Sequence, residues 1–289
     1  MEGKIGIMGG SGIYHVEGMT GLKKVKVQTP FGEPSDEFAT GILEGKEMVF
    51  LARHGKGHRI MPTELNYCAN IYGMKALGVD RIISISACGS LKEALKPLDM
   101  VIPDQFIDRT NMARRMTFFG DGIVAHISFA DPVCPHLSKV LYEAGHSVGA
   151  RMHLGGTYVN MEGPQFSTKA ESNIYRSWGA DIIGMTNMGE ARVAREAEIC
   201  YATIACVTDY DCWYTDVGNE IVSVEMVVQN LMKNVDTSKK ILKAALGKIG
   251  PDRACACATA LKDAIITRPE AISAETKKRL ALIIGKYIK

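Results

Sequence analysis

The stretch DIIGMTNMGEARVAREAEICYATIACVTDYDCW, residues 181–213, decides the fold class. Its opening run, Asp181–Ile183, is short and apolar and predicts a buried strand that ends at Gly184. Residues 189–198 are rich in Ala, Glu and Arg and predict a helix. A second apolar run, 199–207, predicts another strand. Strand, helix and strand in this order form a βαβ unit, which predicts an α/β fold with a largely parallel sheet.

Polar side chains follow both predicted strands. Asn187 and Glu190 lie three residues apart at the start of the helix, the spacing of a capping box. The second strand runs into Thr208-Asp209-Tyr210-Asp211. In open α/β sheets ligands bind outside the carboxyl ends of the strands, so both clusters are candidates for a binding site. Two carboxylates one residue apart suit a ligand that offers N–H donors or must receive a proton.

Size and composition exclude several classes of protein. The chain has 289 residues, 46% hydrophobic and 23% charged, which are ordinary globular values and exclude disorder. A formal net charge of +2 without long blocks of like charge argues against a nucleic-acid partner. Neither a signal peptide nor an apolar run of about 18 residues is visible, so we expect a cytoplasmic protein without a membrane partner.

The eight cysteines predict no metal site. None of them forms a CxxC pair, and the sequence has no second pair of ligands at the spacing that zinc sites use. Most lie inside apolar runs, where a buried inert thiol is the usual state. Cys255-Ala-Cys257 differs, since its spacing permits a strained local disulfide. Whether that disulfide forms is left open, although a reduced state is typical of cytoplasmic proteins.

The remaining pattern predicts one domain, residues 1–289, with a three-layer α/β/α arrangement around a mixed, largely parallel sheet. A long loop, 111–131, carries His126, and loops of that length in compact domains are usually functional. Further strands are predicted at 4–8, 25–28, 37–43, 46–52, 79–86, 97–103 and 155–161. Further helices are predicted at 63–77, 135–145, 168–177, 221–246, 259–266 and 274–288.

Three polar turns at predicted strand ends share hydroxyls, backbone amides and one guanidinium. They contain Ser11, the pair Arg53-His54 and the pair Ser86-Ala87, and Thr186 adds a hydroxyl at the same sheet edge. Together these groups suit a small tetrahedral oxyanion such as inorganic phosphate. The two carboxylates after the last strand suit a nitrogen heterocycle with an exocyclic amine. Phosphate at one end and an aminopurine-like base at the other predict chemistry at a glycosidic carbon between them.

At this point the chain resembles a known family, the purine nucleoside phosphorylases of the trimeric class, and within it the 5′-methylthioadenosine phosphorylases. The motifs follow the family order from residue 5 to residue 213. They are GIMGGSGIY, ARHGKGHR, SACGSL, DQFIDRT, EGPQFST, GMTNMGEARVAREAEICYA and VTDYDCW.

The resemblance implies a role for each matching position. The implied phosphate ligands are Ser11, Arg53, His54, Ser86, Ala87 and Thr186. The implied nucleoside contacts are Met185 under the ribose, Phe166 against the base, Ser167, Asp209 and Asp211 at the base edge, Val224 and Val227 around a 5′-alkylthio group, and His126 at the 5′ end of a neighbouring subunit's ligand. Asp209 is assigned as the acid at N7 and Asp211 as the acceptor of the exocyclic amine, and the two roles could be exchanged.

The activity implied is phosphorolysis of 5′-methylthioadenosine, with inorganic phosphate as co-substrate and with neither a cofactor nor a metal. Ser167 and the Asp pair favour 6-aminopurines over 6-oxopurines. Three alternatives stay open: a phosphorylase preferring adenosine, methylthioinosine or inosine; a phosphate-independent nucleosidase; and a purine-binding module without catalysis. The family also implies a homotrimer or a dimer of trimers.

Overall fold

The computed structural model describes residues 3–10, 17–111, 114–214, 224–253 and 255–288, with only the backbone of Val224 and Met226. The strands are β1 Lys4–Gly9, β2 Thr20–Val25, β3 Phe38–Leu43, β4 Lys46–Ala52, β5 Val79–Ser90, β6 Met100–Ile102, β7 Gln105–Arg109, β8 Met152–Leu154, β9 Thr157–Met161, β10 Ile182–Gly184 and β11 Cys200–Asp209. The helices are α1 Tyr67–Ala76, α2 Pro135–Ser147, α3 Lys169–Ser177, α4 Asn187–Glu196, α5 Val224–Leu246, α6 Ala274–Arg279 and α7 Ala281–Ile284.

The described strands form one mixed, largely parallel sheet in the order β2-β3-β4-β1-β5-β10-β9-β7. On its other edge β5 pairs in parallel with β11, which leads to β6 and β8. The strands β1, β4, β5 and β11 run in the same direction, so their carboxyl ends meet at one edge of the sheet. The predicted largely parallel sheet, with several strand ends at one edge, is therefore confirmed.

The strand β5 is the axis of this arrangement because it has two partners in succession on one edge. It pairs with β1 as far as Ser84 and then, antiparallel, with β10 at Gly89 and Ser90. The predicted strand ended at Ser86, but β11 continues the pairing past that point, and the small residues after it lie in the strand. Their backbone therefore has a fixed position beside β10.

Helices cover both faces of the sheet. Ile71 of α1, Val193 of α4 and Leu280 between α6 and α7 lie in the core of one face. Leu141 of α2 and Leu242 of α5 lie in the core of the other. The predicted three-layer α/β/α class is confirmed. None of the described helices is long and apolar enough to span a membrane.

Several predicted elements are wrong in detail. The strand predicted at 25–28 lies earlier, at β2, where exposed lysines pair with β3 at the sheet edge and hide the apolar alternation. In place of the helix predicted at 259–266, Thr259 ends the short 3-10 helix Ala256–Thr259, and residues 260–266 form turns and an isolated bridge from Ile265 to Ala125. The closing helix at 274–288 is divided by Leu280, whose fully buried side chain ends one helix and precedes the next.

Candidate active site

The turn between β10 and α4 is held in place by side chains from two other parts of the chain. Asn160, at the end of β9, donates to the Met185 carbonyl at 3.1 Å and accepts from the Met188 amide at 3.0 Å. Arg114 donates to the same Met185 carbonyl at 2.7 Å. Thr186 is buried at the N-cap of α4, and its hydroxyl makes no capping bond to the helix. This hydroxyl and the helix N-terminus suit an anion.

The antiparallel pairing of β10 brings this turn back beside β5. The register pairs Ile182 with Ser90 and Ile183 with Gly89, so the chain beyond β10 runs towards Ser86. The structure thus brings Thr186 towards Ser86 and Ala87, which are half-buried. Of the predicted phosphate ligands, Ser11 lies outside the described residues.

The capping box predicted from Asn187 and Glu190 is wrong, because both side chains point into a buried polar network. Glu190 forms an ion pair with Arg53 and accepts from Ser84 at 2.9 Å and from Tyr201 at 2.8 Å. Side-chain burial at this depth requires every polar group to have a partner. The pairing of Glu190 in α4 with the distant Arg53, directly after β4, outweighs the local capping geometry.

Arg53 lies at the centre of this network, at the end of β4. Its guanidinium also donates to the carbonyls of Ile85 at 3.2 Å and Met8 at 3.4 Å, and to the Ser84 hydroxyl. Burial by itself lowers the pKa of Arg53, but the Glu190 charge and hydrogen bond outweigh it, so that the net pKa is raised. Arg53 is therefore a permanent cation, and its hydrogen bonds and ion pair hold it near the strand ends.

Asn187 completes the network on the other side. Its amide donates to the hydroxyls of Ser84 at 3.0 Å, Tyr201 at 2.9 Å and Thr203 at 2.9 Å, and accepts from Tyr158 at 2.8 Å. Sequence reasoning had placed Asn187 in a candidate binding cluster, but it missed its partners Ser84, Tyr158, Tyr201 and Thr203, and it missed Asn160 as well. The available signal was the Ser84 and Thr203 hydroxyls inside the buried parts of the predicted strands 79–86 and 199–207.

His54 follows Arg53 and is held in one neutral form. Its Nδ1 lies 2.8 Å from the Ile60 carbonyl, which can only accept, so Nδ1 carries the proton. Burial and then the Arg53 charge lower the pKa of His54 to about 4. In the neutral ring Nε2 is therefore an acceptor, which suits the hydroxyl of a protonated phosphate.

The two predicted base-binding carboxylates lie side by side at the end of β11. Asp209 Oδ1 accepts from the Asp211 amide at 2.8 Å, and Asp209 Oδ2 accepts from the Thr208 hydroxyl at 2.6 Å. The φ of Asp211 is 51°, a left-handed conformation that aspartate tolerates in such turns. Burial raises the pKa of both carboxyls.

The strand β5 packs tightly against this pair at Gly89, where a side chain would crowd both residues. A Cβ at Gly89 would lie 3.0 Å from Asp209 Oδ1 and 3.3 Å from Asp211 Cβ. Beyond the pair, the Trp213 indole donates to the Ser90 carbonyl at 2.7 Å. The loop after β11 is therefore fixed against the end of β5.

The remaining nucleoside-contact predictions differ in how far the structure supports them. Ser167 is buried, and its carbonyl accepts from the Cys212 thiol at 3.2 Å, which connects it to the Asp pair. Met185 is half-buried, and a Cβ on Gly163 would lie 2.5 Å from its sulfur. Phe166 is 47% exposed and meets no part of the pair in the described contacts.

Val227 and Val224 lie at the start of α5, which is anchored to the end of β11. Asn230 donates to the Thr208 carbonyl at 2.7 Å, and Asn234 donates to the Val207 carbonyl at 3.0 Å. Val227 is half-buried and lies one turn before Asn230, on the same side of the helix. The side chain of Val224 lies outside the described residues.

His126 is exposed and is not brought to the strand ends of its own chain. Its amide donates to the Ala264 carbonyl at 2.9 Å, which ties the loop to the C-terminal segment. The described part of the 111–131 loop contains no helix, as predicted.

Comparisons with known proteins extend over the whole chain. Residues 4–247 match the model of the phosphorylase superfamily. The S-methyl-5′-thioadenosine phosphorylase of Geobacter sulfurreducens is 59% identical over 288 residues, covering 100% of both chains. That of Koribacter versatilis is 56% identical, covering 99% of this chain and 97% of the relative.

Solved structures give the same result in three dimensions. A methylthioadenosine phosphorylase from an antarctic soil metagenomic library is 52% identical with a TM-score of 0.92, covering 98% of this chain and 99% of that one. The Schistosoma mansoni methylthioadenosine phosphorylase in complex with adenine is 35% identical with a TM-score of 0.81, covering 98% of each chain. The similarity thus includes the segments between the motifs.

Proposed function

The chain belongs to the phosphorylase superfamily, and from this premise we propose that it cleaves 5′-methylthioadenosine with phosphate, giving adenine and 5-methylthioribose 1-phosphate. It is an enzyme of the pentosyltransferase class, and its substrates are small molecules. The observation that carries the proposal is a pair of buried carboxyls with raised pKa values, Asp209 and Asp211, at the same sheet edge as Thr186 and Arg53.

At the phosphate end, we propose that the anion lies between the N-terminus of α4 and the end of β5. Thr186 would donate a hydrogen bond to the phosphate from its hydroxyl, and Ser86 and Ala87 would line the phosphate site from β5. Arg53 would supply positive charge. Neutral His54 would accept the hydrogen of a phosphate P–OH group. The proposed set of phosphate ligands also includes Ser11. One oxygen of the bound phosphate would remain free to attack C1′ of the nucleoside.

At the base end, we propose that Asp209 donates a proton to N7 as negative charge builds up on the departing purine. Its Oδ1 is committed to the Asp211 amide, so Oδ2 is the oxygen that would carry the proton. The Thr208 hydroxyl lies 2.6 Å from Oδ2 and 3.2 Å from the Cys88 carbonyl. Before proton transfer Thr208 can donate to Cys88, and afterwards it can turn to stabilise the new Asp209 carboxylate.

The choice of base follows from the acceptors. Asp211 would accept from the exocyclic amine, which a 6-oxopurine lacks, and this supports 6-aminopurine substrates. We propose that Val227 and Val224 hold the 5′-methylthio group. No resident cofactor is required, because phosphate itself is the nucleophile at C1′ and the carboxyl supplies the proton.

We further propose a cytoplasmic homotrimer, or a dimer of trimers, in which His126 reaches a neighbour's ligand. Supporting this, Val124 and Ile266 are 44% and 61% exposed beside His126 and are joined by a 3.0 Å backbone hydrogen bond. An apolar pair of this kind suits a subunit contact.

The test is release of adenine from 5′-methylthioadenosine with and without phosphate, with adenosine and methylthioinosine as parallel substrates. We expect phosphate-dependent release that is fastest from 5′-methylthioadenosine. Release that ignores phosphate would make the enzyme a nucleosidase. Faster cleavage of methylthioinosine would keep the phosphate site but reject the assignment of Asp211 to the exocyclic amine.

A further inference from the structure

Four cysteines far apart in the sequence meet at one point. The sulfurs of Cys134, Cys200, Cys255 and Cys257 all lie within 4.8 Å of one another, and those of Cys200 and Cys255 are 3.4 Å apart. All four are free thiols, three of them buried and Cys255 half-buried. The local disulfide that the Cys255-Ala-Cys257 spacing would permit is therefore not formed.

Three separate elements supply these thiols. Cys134 is the N-cap residue of α2, and its amide donates to the Tyr201 carbonyl at 2.8 Å. Cys200 is the first residue of β11. Cys255 and Cys257 belong to the C-terminal segment, around the short 3-10 helix Ala256–Thr259. Only the folded chain brings the four together, and Cys200 has its backbone fixed by the pairing of β11 with β5.

We propose that Cys134, Cys200, Cys255 and Cys257 form a structural tetrathiolate site for Zn²⁺. Zinc bound by four cysteines is tetrahedral with Zn–S bonds of about 2.3 Å, which places each pair of sulfurs roughly 3.8 Å apart. The observed separations, from 3.4 Å to at most 4.8 Å, bracket this value. A disulfide needs two sulfurs about 2.05 Å apart, and a cluster of four mutually close thiols does not single out any pair.

Binding would convert four thiols to thiolates, release four protons to solvent and leave the zinc centre with a net charge of −2. Part of that charge faces the start of α2, a 13-residue helix whose N-terminal dipole favours anions at Cys134. The spacing in the sequence conceals the site, because one ligand pair is C-x-C and the other two ligands stand alone.

The site is structural because it lies at the opposite end of the sheet from the candidate catalytic residues. The ten residues of β11 separate Cys200 from Asp209 by about 30 Å. What the metal would hold is the C-terminal segment, which also binds Glu198 through the Leu261 amide at 3.1 Å. That segment in turn carries Ala264, which accepts from the His126 amide.

The first test is the metal content of the purified full-length chain, produced with zinc in the medium and passed over a chelating resin. We expect about one equivalent of zinc per chain, as in other closed thiolate sites. Cys255→Ser and Cys134→Ser should each lose most of it. Cys206→Ser is the matched control for Cys134→Ser, because Cys206 is as buried as Cys134 but its thiol contacts the Ser238 hydroxyl at 3.4 Å.

A spectroscopic arm keeps the proposal testable if a variant fails to fold. Unfolding the wild-type chain and refolding it with Co²⁺ should give the thiolate charge-transfer and tetrahedral ligand-field absorption of a Co–S₄ centre. Neither measurement depends on nucleoside cleavage, so the zinc site and the proposed activity can fail separately. A wild-type chain without zinc or cobalt spectrum would overturn the proposal. So would a mass lower by four hydrogens, which indicates two disulfides among the four thiols.

Discussion

Two groups of buried carboxylates lie at the same edge of the sheet, and they differ in what surrounds them. Glu190 forms an ion pair with Arg53 and receives hydrogen bonds from Ser84 and Tyr201. Asp209 and Asp211 form no ion pair with any described residue, and burial raises the pKa of both. Glu190 thus has a cation and hydrogen-bond donors around it, whereas burial disfavours the charged form of Asp209 and Asp211.

The difference separates support from chemistry. A buried carboxylate with a cation and full hydrogen bonding is a fixed structural element, and removing one partner leaves the other charge uncompensated. A buried carboxyl without a cation has a raised pKa, because burial disfavours its charged form, and it is therefore better suited to donate a proton. The same sheet edge thus contains the Arg53–Glu190 ion pair, which supports the proposed phosphate position and is called the platform below, and a proton donor at the proposed base position.

The largest effect is expected from breaking the platform. Glu190→Gln leaves Arg53 buried without its counter-ion, so the free energy of unfolding should fall by about 3–5 kcal/mol. Urea unfolding at neutral pH measures this loss. The matched control is Glu143→Gln, which removes the exposed pair with Lys139 and should change the stability by less than about 0.5 kcal/mol. Equal losses in the two variants would show that Arg53 does not depend on Glu190.

The next effect is on catalysis. Asp209→Asn keeps the shape of the side chain but removes the acid, so kcat on 5′-methylthioadenosine should fall by at least ~100-fold. Steady-state rates with saturating phosphate measure the loss. Asp236→Asn, an exposed change on α5, is the control and should retain the wild-type rate. An undiminished rate in Asp209→Asn would remove this residue from the mechanism.

A smaller loss is expected from the residue that stabilises the new carboxylate. Thr208→Val removes the hydroxyl 2.6 Å from Asp209 Oδ2, and kcat should fall by about tenfold, the value of one hydrogen bond to a charged group. The KM for phosphate should stay unchanged, because the hydroxyl contacts only the base end. If only the KM for phosphate changed, the proposal that the Thr208 hydroxyl rotates to stabilise the Asp209 carboxylate would be contradicted.

The smallest expected effect is on stability, and its sign distinguishes the two carboxylate groups: replacing Asp209 should raise the free energy of unfolding, whereas replacing Glu190 lowers it. Because burial raises the folded-state pKa of Asp209, its protonated form contributes stability at low pH that is lost as pH rises through the raised pKa. Asp209→Asn should therefore be more stable than wild type at neutral pH, by about 1 kcal/mol, whereas Glu190→Gln is less stable. Unfolding midpoints at pH 7 and at pH 4 measure this, and the advantage should shrink at the lower pH. An advantage that grows on acidification would contradict the raised pKa.

Much of the candidate site could be predicted because it depends on strand ends. Asp209, Asp211 and Arg53 each follow a readable strand of the parallel set, and parallel strands have their carboxyl ends at one edge. Thr186 also follows a readable strand, but its strand β10 is antiparallel to β5 and brings Thr186 back beside it. The structure places all four at that edge. What the local pattern could not give was the partner of each side chain: Glu190 has capping-box spacing, yet its partner is Arg53, 137 residues away.

The sequence by itself determined the α/β class, the order of most elements and the position of the polar strand ends, since periodicity and turn residues act over a few neighbours. Only the tertiary structure decided which buried carboxylate has a cation and which does not. It alone brought Cys134 and Cys200 to the C-x-C pair at 255–257. Both depend on contacts between residues that chain folding makes adjacent, and burial gives such contacts their energy because it removes the water that would otherwise solvate each group separately.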